Sequence, residues 1–252
     1  MTMRTSSQTT LALAAVALIG LAAPAAAEVT PGPWRQTVFL YGMGAAVDGS
    51  VEFGNLAVPV NVSRSDFLED LRFGAMAAYR IDNDVWSFTG DVTWFKLRSE
   101  QDTEQGRAGA RIENEQITAM ATVGRRVGPN LEALFSLAYF DVQADAQVRV
   151  LQQTLSASRD ASWVDPLIGF AYEVPFSNRW RFTLRGDIGG FGVGSEKTYH
   201  ALTRVTYQAS DSLSWYAGYR VISYDFEEGE GRGFQRFDLR QHGPGLGVAF
   251  KF

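Results

Sequence analysis

Period-two hydrophobicity recurs along most of the chain, and it is plainest at the C-terminus, where Leu246, Val248, Phe250 and Phe252 alternate with Gly245, Gly247, Ala249 and Lys251. The alternation puts the apolar side chains on one face of a strand and glycine, alanine and lysine on the other. Such a wall can face lipid only if every backbone N–H and C=O finds a partner, because hydrocarbon offers none. A closed barrel with a polar interior meets that condition without leaving a sheet edge.

The same alternation is read over Trp34 to Val47, Leu71 to Ile81, Val85 to Arg98, Arg111 to Val127 and Leu131 to Val148. It continues over Ser162 to Phe176, Trp180 to Val193, Thr198 to Ala209, Leu213 to Phe226 and Phe234 to Phe252. The links alternate in character. Asp82-Asn83-Asp84, Gly128-Pro129-Asn130, Ser177-Asn178-Arg179 and Ser210-Asp211-Ser212 have the composition of tight turns. Between them, Asp48 to Asp70, Ser99 to Ala110, Arg149 to Ala161 and Glu227 to Gly233 read as longer loops, and Gly194 to Lys197 as one short link. The fold class is therefore all-β, a transmembrane antiparallel up-and-down barrel of about ten strands, with eight or twelve as alternatives. An extra hairpin over Ser50 to Ser63 is one source of that latitude. Within the first long link, Ser63 followed by Asp66 is a helix-capping pattern, with Phe67, Leu68 and Leu71 expected on one side of a short turn that plugs or covers the barrel mouth.

Alternation also assigns faces. Trp180, Phe182, Leu184 and Ile188 go to lipid, while Arg181, Thr183, Arg185, Asp187 and Gly189 go inward. The same logic sends Arg72, Arg80, Asp91, Arg126, Glu132, Asp165, Glu173, Arg204 and Arg220 to the lumen. A lipid-facing Arg or Lys near the midplane costs about 2–4 kcal/mol, so repeated charges opposite the aromatics are informative. With both signs present, these groups are expected to pair across a mostly filled interior, as suits a barrel near the narrow end of the size range. Trp34, Trp86, Trp180 and Trp215 stand at the starts of strands, and Trp94 lies on the same face above Trp86. That placement predicts aromatic girdles at the two membrane interfaces, with the short turns and both termini in the periplasm.

The N-terminus fits export. Arg4, the apolar run from Leu11 to Ala23 and Ala25-Ala26-Ala27 predict a signal peptide over residues 1–27, with the barrel occupying 28–252. The run is shorter than the roughly twenty residues that cross a bilayer as a helix. The chain has no cysteine, which excludes lipid attachment through cysteine, disulfides and thiolate metal sites. A formal net charge of −5 argues against a nucleic-acid partner.

Chemistry is sparsely represented. Of the two histidines, His200 follows Ser195 and Glu196 closely, which keeps open a surface hydrolase acting on lipid or peptide, and His242 has no evident partner. Asp48, Asp102, Asp160 and Glu196 are acids placed toward the long-loop end, where a barrel protease would need them. No constellation joins them, and the glycine-rich run Gly189 to Ser195 lacks the order and the following helix of a nucleotide loop. The expectation is no enzyme, no cofactor and no metal.

Five stretches, Leu68 to Ala78, Val164 to Gly169, Arg185 to Ser195, Gly218-Tyr219-Arg220 and His242 to Phe252, resemble small Gram-negative outer-membrane barrels in the style of the OmpA-like and OmpW-like families. The ending through Leu246, Val248, Phe250 and Phe252 also resembles the segment that the outer-membrane assembly machinery reads. The resemblance implies an outer-membrane location and partners limited to membrane lipid, lipopolysaccharide and that machinery. It carries over no catalytic residue and leaves the oligomeric state open. The expected function is a structural or narrow-passage, porin-like barrel, with a surface hydrolase or a loop-mediated adhesin as alternatives. A barrel of this kind is expected to run at a different gel mobility before and after boiling in detergent; a single heat-independent band would contradict it.

Overall fold

The computed structural model describes residues 31–53, 56–102, 108–150, 153–231 and 234–252, so the predicted signal segment lies outside the described residues. In chain order the elements are β1 (Arg35–Met43), β2 (Ala46–Phe53), β3 (Leu56–Val62), α1 (Arg64–Asp70), β4 (Leu71–Asp82), β5 (Trp86–Asp102) and β6 (Ala108–Arg126). Then follow β7 (Leu131–Val150), β8 (Gln153–Pro175), β9 (Trp180–Gly190), β10 (Lys197–Gln208), β11 (Leu213–Glu228) and β12 (Gln235–Lys251). β1 pairs with both β4 and β12, and β4 through β12 each pair with the next, which closes an antiparallel barrel of ten strands.

Closure is made by the C-terminal alternation. Thr37 lies opposite Lys251, and the ladder runs up to Met43 opposite Gly245. The first strand, read in sequence as one piece from Trp34 to Val47, is interrupted at Gly44 and Ala45. β2 then resumes the same register on β12, with Ala46 opposite His242, and turns back through β3 as a hairpin. A bulge is the expectation at Gly243-Pro244, but β12 stays in register with β11 from Phe250 to Gln235. The break falls on the facing strand instead. Pro244 has no N–H to offer, and its carbonyl accepts from Gly44 N–H at 3.0 Å, so no extra residue is needed. The irregular register is at Leu71/Phe73, between β4 and β5.

Two predicted loops are largely strand. β5 and β6 pair out to Asp102 opposite Gly109, and β7 and β8 out to Val150 opposite Gln153. A polar composition does not stop an antiparallel ladder. The β9–β10 link, by contrast, is short, so the wall is much lower there than at β7 and β8. The turns at the opposite end are tight: Asn83 Oδ1 accepts from the N–H groups of Val85 and Trp86 at 2.8 and 2.6 Å.

The wall faces follow the period of two. Trp34, Trp86, Trp94, Trp180 and Trp215 are all exposed on the outer surface, as are Leu246, Phe250 and Phe252, with Val248 partly covered. Glycine on the inner face makes room for large partners. A Cβ on Gly247 would lie 2.5 Å from the ring carbon bearing the Tyr216 hydroxyl, so glycine permits that ring to lie across the lumen.

α1 begins at Ser63, whose hydroxyl accepts from Asp66 N–H while the Asp66 carboxylate accepts from Ser63 N–H. Phe67 is fully buried against Phe95, 5.3 Å between ring centres, with Met43, Val62, Leu71 and Leu97 around it. Leu68 is exposed, contrary to its predicted grouping with Phe67, because successive helical residues point about 100° apart. α1 therefore closes the inner face beside β1 and β5 with one side chain, Phe67.

Gly247→Val should lower the unfolding free energy of the refolded barrel by about 1–3 kcal/mol, read from its urea midpoint in detergent, because the added atoms overpack against Tyr216.

Candidate functional site

The lumen is organised in layers, because each inward position on a strand sits two residues above the last. At the end bearing the tight turns, Arg35 binds Asp82 at 2.8 Å and Asp84 at 3.2 Å, and Arg181 faces Glu173 at 3.3 Å. These groups ring a vestibule of about 480 Å³, also lined by Arg126, Asp211 and Lys251. Arg126 is exposed at the rim, with only a long hydrogen bond from its guanidinium to the Pro129 carbonyl at 3.5 Å. Its predicted place in a cross-lumen charge network is corrected accordingly: at the foot of β6 the strand has already reached solvent. Arg72 lies on β4 at the register shift between Leu71 and Phe73, and its side chain lies outside the described residues.

One layer up, Arg80 Nη2 donates to both Glu132 oxygens at 3.1 and 3.2 Å, and Ser87 Oγ donates to the same carboxylate. Across the lumen the Arg204 guanidinium lies over Phe39 at 5.1 Å and Tyr216 at 5.5 Å. Arg204 thus departs from the predicted Arg–carboxylate pairing. Its inward neighbours on β1 and β11 are aromatic, so it is held by cation–π contact instead.

The middle layer is densely bonded. Arg220 Nη1 donates to Asp91 at 3.0 Å and to the Tyr41 hydroxyl at 2.8 Å, and Tyr41 in turn donates to Asp91 at 2.8 Å. Arg185 Nε donates to Asp187 at 2.7 Å, and its Nη2 reaches Thr122 at 3.1 Å and Ser136 at 3.0 Å. His200 Nδ1 meets the same Asp187 carboxylate at 2.9 Å. A chamber of about 150 Å³ lies among Tyr41, Arg185, His200, Arg204 and Arg220.

Asp165, also predicted to pair with a cation, is buried among neutral donors. It accepts from Ser195 N–H and Oγ, both at 2.7 Å, from Thr198 Oγ1 at 2.5 Å and from Trp163 Nε1 at 3.1 Å. These bonds pin the β9–β10 turn, where Gly190, Phe191 and Gly192 take φ of 85°, 53° and 70°. Phe191 is a non-glycine residue in the left-handed region, a conformation the tether holds in place.

Above the ionic layers, toward the long-loop end, the inward residues are aromatic. Trp163 stacks on Phe226 with centroids 4.2 Å apart and on Phe140 at 5.0 Å. Tyr224 packs on both Phe140 and Trp163 at 5.1 Å, and Phe237 flanks Phe226 at 6.3 Å. All five are buried. The sequence reading assigned no role to Trp163, although it shares parity with Asp165 and so had to face inward. The inward aromatics of β7, β11 and β12 carry the same signal.

The histidines do not form a hydrolase triad with Ser195. His200 is turned to Asp187, while Ser195 is turned to Asp165 and Thr198. His242 points outward and, contrary to the sequence reading, has two partners: Tyr219 Oη at 2.5 Å and Asp48 Oδ2 at 2.8 Å. Among the described residues no cluster of three or more His, Asp or Glu is arranged to hold a metal.

A closed ten-stranded antiparallel wall with an apolar outer belt and an ionic lumen is the fold of an outer-membrane β-barrel. The chain superposes on the outer membrane protease OmpT of Escherichia coli with a TM-score of 0.50 and 8% identity, covering 89% of this chain and 99% of that one. Ail, the attachment invasion locus protein of Yersinia pestis, matches at TM-score 0.38 and 10% identity over 87% of this chain and 98% of its own. The toluene transporter TodX of Pseudomonas putida matches at TM-score 0.34 and 10% identity over 88% and 90%. At 8% identity the likeness to OmpT concerns the fold alone. No protein-family model matches the chain, and no curated protein matches its sequence.

Asp165→Asn removes the negative charge and turns one acceptor oxygen into a donor NH2 facing the four donors, and should cost about 1–3 kcal/mol in urea unfolding. It should also speed proteolysis within Gly190 to Glu196; a turn as resistant as in the unaltered protein would show that the tether is dispensable.

Proposed function

We propose that this protein is a non-enzymatic integral outer-membrane barrel whose lumen is stoppered at the long-loop end and admits small polar solutes at the tight-turn end. The observation that carries this reading is the aromatic stack of Phe140, Trp163, Tyr224, Phe226 and Phe237 set above paired charges and an open vestibule. An open diffusion pore needs a continuous aqueous path, and five buried rings packed together at the long-loop end support a stopper instead. The predicted signal segment and the outward belt support export to the outer membrane, with the tight turns and both termini on the periplasmic side. On this reading the vestibule faces the periplasm, and the long β5–β6 and β7–β8 hairpins face outside. The surroundings of the barrel are membrane lipid and lipopolysaccharide, and its family affinity is with OmpA-like and OmpW-like barrels. The separation of His200 from Ser195 and the outward direction of His242 support the absence of hydrolase chemistry.

Planar-bilayer recording tests the stopper. The refolded protein should show no large reproducible steps, and the double variant Trp163→Ala/Phe226→Ala should conduct measurably above it. Large steps from the unaltered protein, or an unchanged trace from the double variant, would overturn the reading.

A further inference from the structure

The chamber at mid-barrel carries an imbalance that the paired charges around it make easy to locate. Its lining presents the guanidiniums of Arg80, Arg185, Arg204 and Arg220 and the carboxylates of Asp91 and Glu132. Arg80 is bound to Glu132, Arg220 to Asp91, and Arg185 to Asp187 just behind it. Arg204 makes no ion pair or hydrogen bond with a described residue, and its buried Nε has no partner. The two rings beneath it hold the guanidinium in place without neutralising it. Arg204 is half-buried with only its Nε fully covered, and it feels the charge of Glu173 without bonding to it; a guanidinium fixed in this way at a cavity attracts an oxyanion, because its planar donors match two oxygens of a carboxylate or phosphate.

Two further observations agree. His200 is almost fully buried at the chamber wall, and with its Nδ1 directed at Asp187 its Nε2 is left without a partner. A protonated oxygen of a bound oxyanion, or its water, would satisfy that atom. Access exists as well. Phe39, Arg80, Glu132, Thr183 and Arg204 line both the chamber and the vestibule, so Arg204 stands at the junction between the two. A volume of about 150 Å³ corresponds to roughly five waters, which is room enough for a group the size of phosphate.

We infer that the mid-barrel chamber is a binding site for a small oxyanion of the phosphate or carboxylate type, entered from the vestibule and held by Arg204. Binding is an equilibrium property of the lumen and is read without any current, so its failure is distinguishable from a failure of the stoppered-barrel reading.

The test is titration calorimetry of the refolded full chain in detergent with inorganic phosphate. Saturable binding of one phosphate per barrel is expected, weakened at least tenfold in Arg204→Gln and within twofold of unaltered in Arg64→Gln, which removes the same charge from the exposed face of α1. The absence of saturable binding, equal affinity in Arg204→Gln, displacement of phosphate by equimolar chloride, or an equal loss in Arg64→Gln, whose charge lies away from both cavities, would overturn the proposal. Should Arg204→Gln lose the heat-dependent gel shift of a folded barrel, Leu202→Trp replaces it. That variant keeps Arg204 and fills the chamber: lost binding supports the site, and retained binding overturns it.

Discussion

The antiparallel pairing of β1 with β12, from Thr37 opposite Lys251 to Met43 opposite Gly245, joins the two ends of the sheet and leaves no unpaired backbone inside the belt. Without it the outward row of Leu40, Leu246 and Phe250 would border a strand edge in hydrocarbon, where unpaired amides are prohibitively costly. Closure also fixes handedness of traffic around the ring: inward positions of every strand are forced into shared layers. The ionic, aromatic and glycine layers are consequences of that geometry rather than separate designs.

Within the ring, the wide and narrow parts of the lumen differ by what meets across it. Arg80 with Glu132, Arg185 with Asp187 and Arg220 with Asp91 are fully bonded sets, so breaking one side would strand a buried charge. Arg204 is the exception among the arginines that line the mid-barrel chamber, and it sits where two cavities meet. Above it lies the aromatic stack, and beside it the low β9–β10 turn is anchored to β8 through Asp165 and to β11 through Glu196 N–H on the Asp225 carbonyl.

Much of this was legible from alternation. The inward assignment of Arg80, Asp91, Glu132, Asp165, Arg185, Asp187, Arg204 and Arg220 needed only parity, as did the outward tryptophans. Parity says which face a residue takes and is silent about which strand lies opposite. Hence Asp165 was expected to meet an arginine and met Ser195, Thr198 and Trp163, and His242 was expected alone and meets Asp48 far away in sequence. Loop lengths were misjudged for a related reason. The hairpins of β5–β6 and β7–β8 continue as ladders after leaving lipid, where the hydrophobic contrast that marks a strand disappears.

The sequence by itself determined an all-β wall with lipid outside and charge inside, the tight turns at one end, and the capped turn at Ser63, because each of these depends on neighbours a few residues apart. Which charges pair, that Arg204 is left over at the mid-barrel chamber, and that Trp163 packs against Phe226 were settled by the tertiary structure alone. Those outcomes depend on the stagger of strands around a closed ring, which brings together residues such as Tyr41 and Arg220 from opposite ends of the chain.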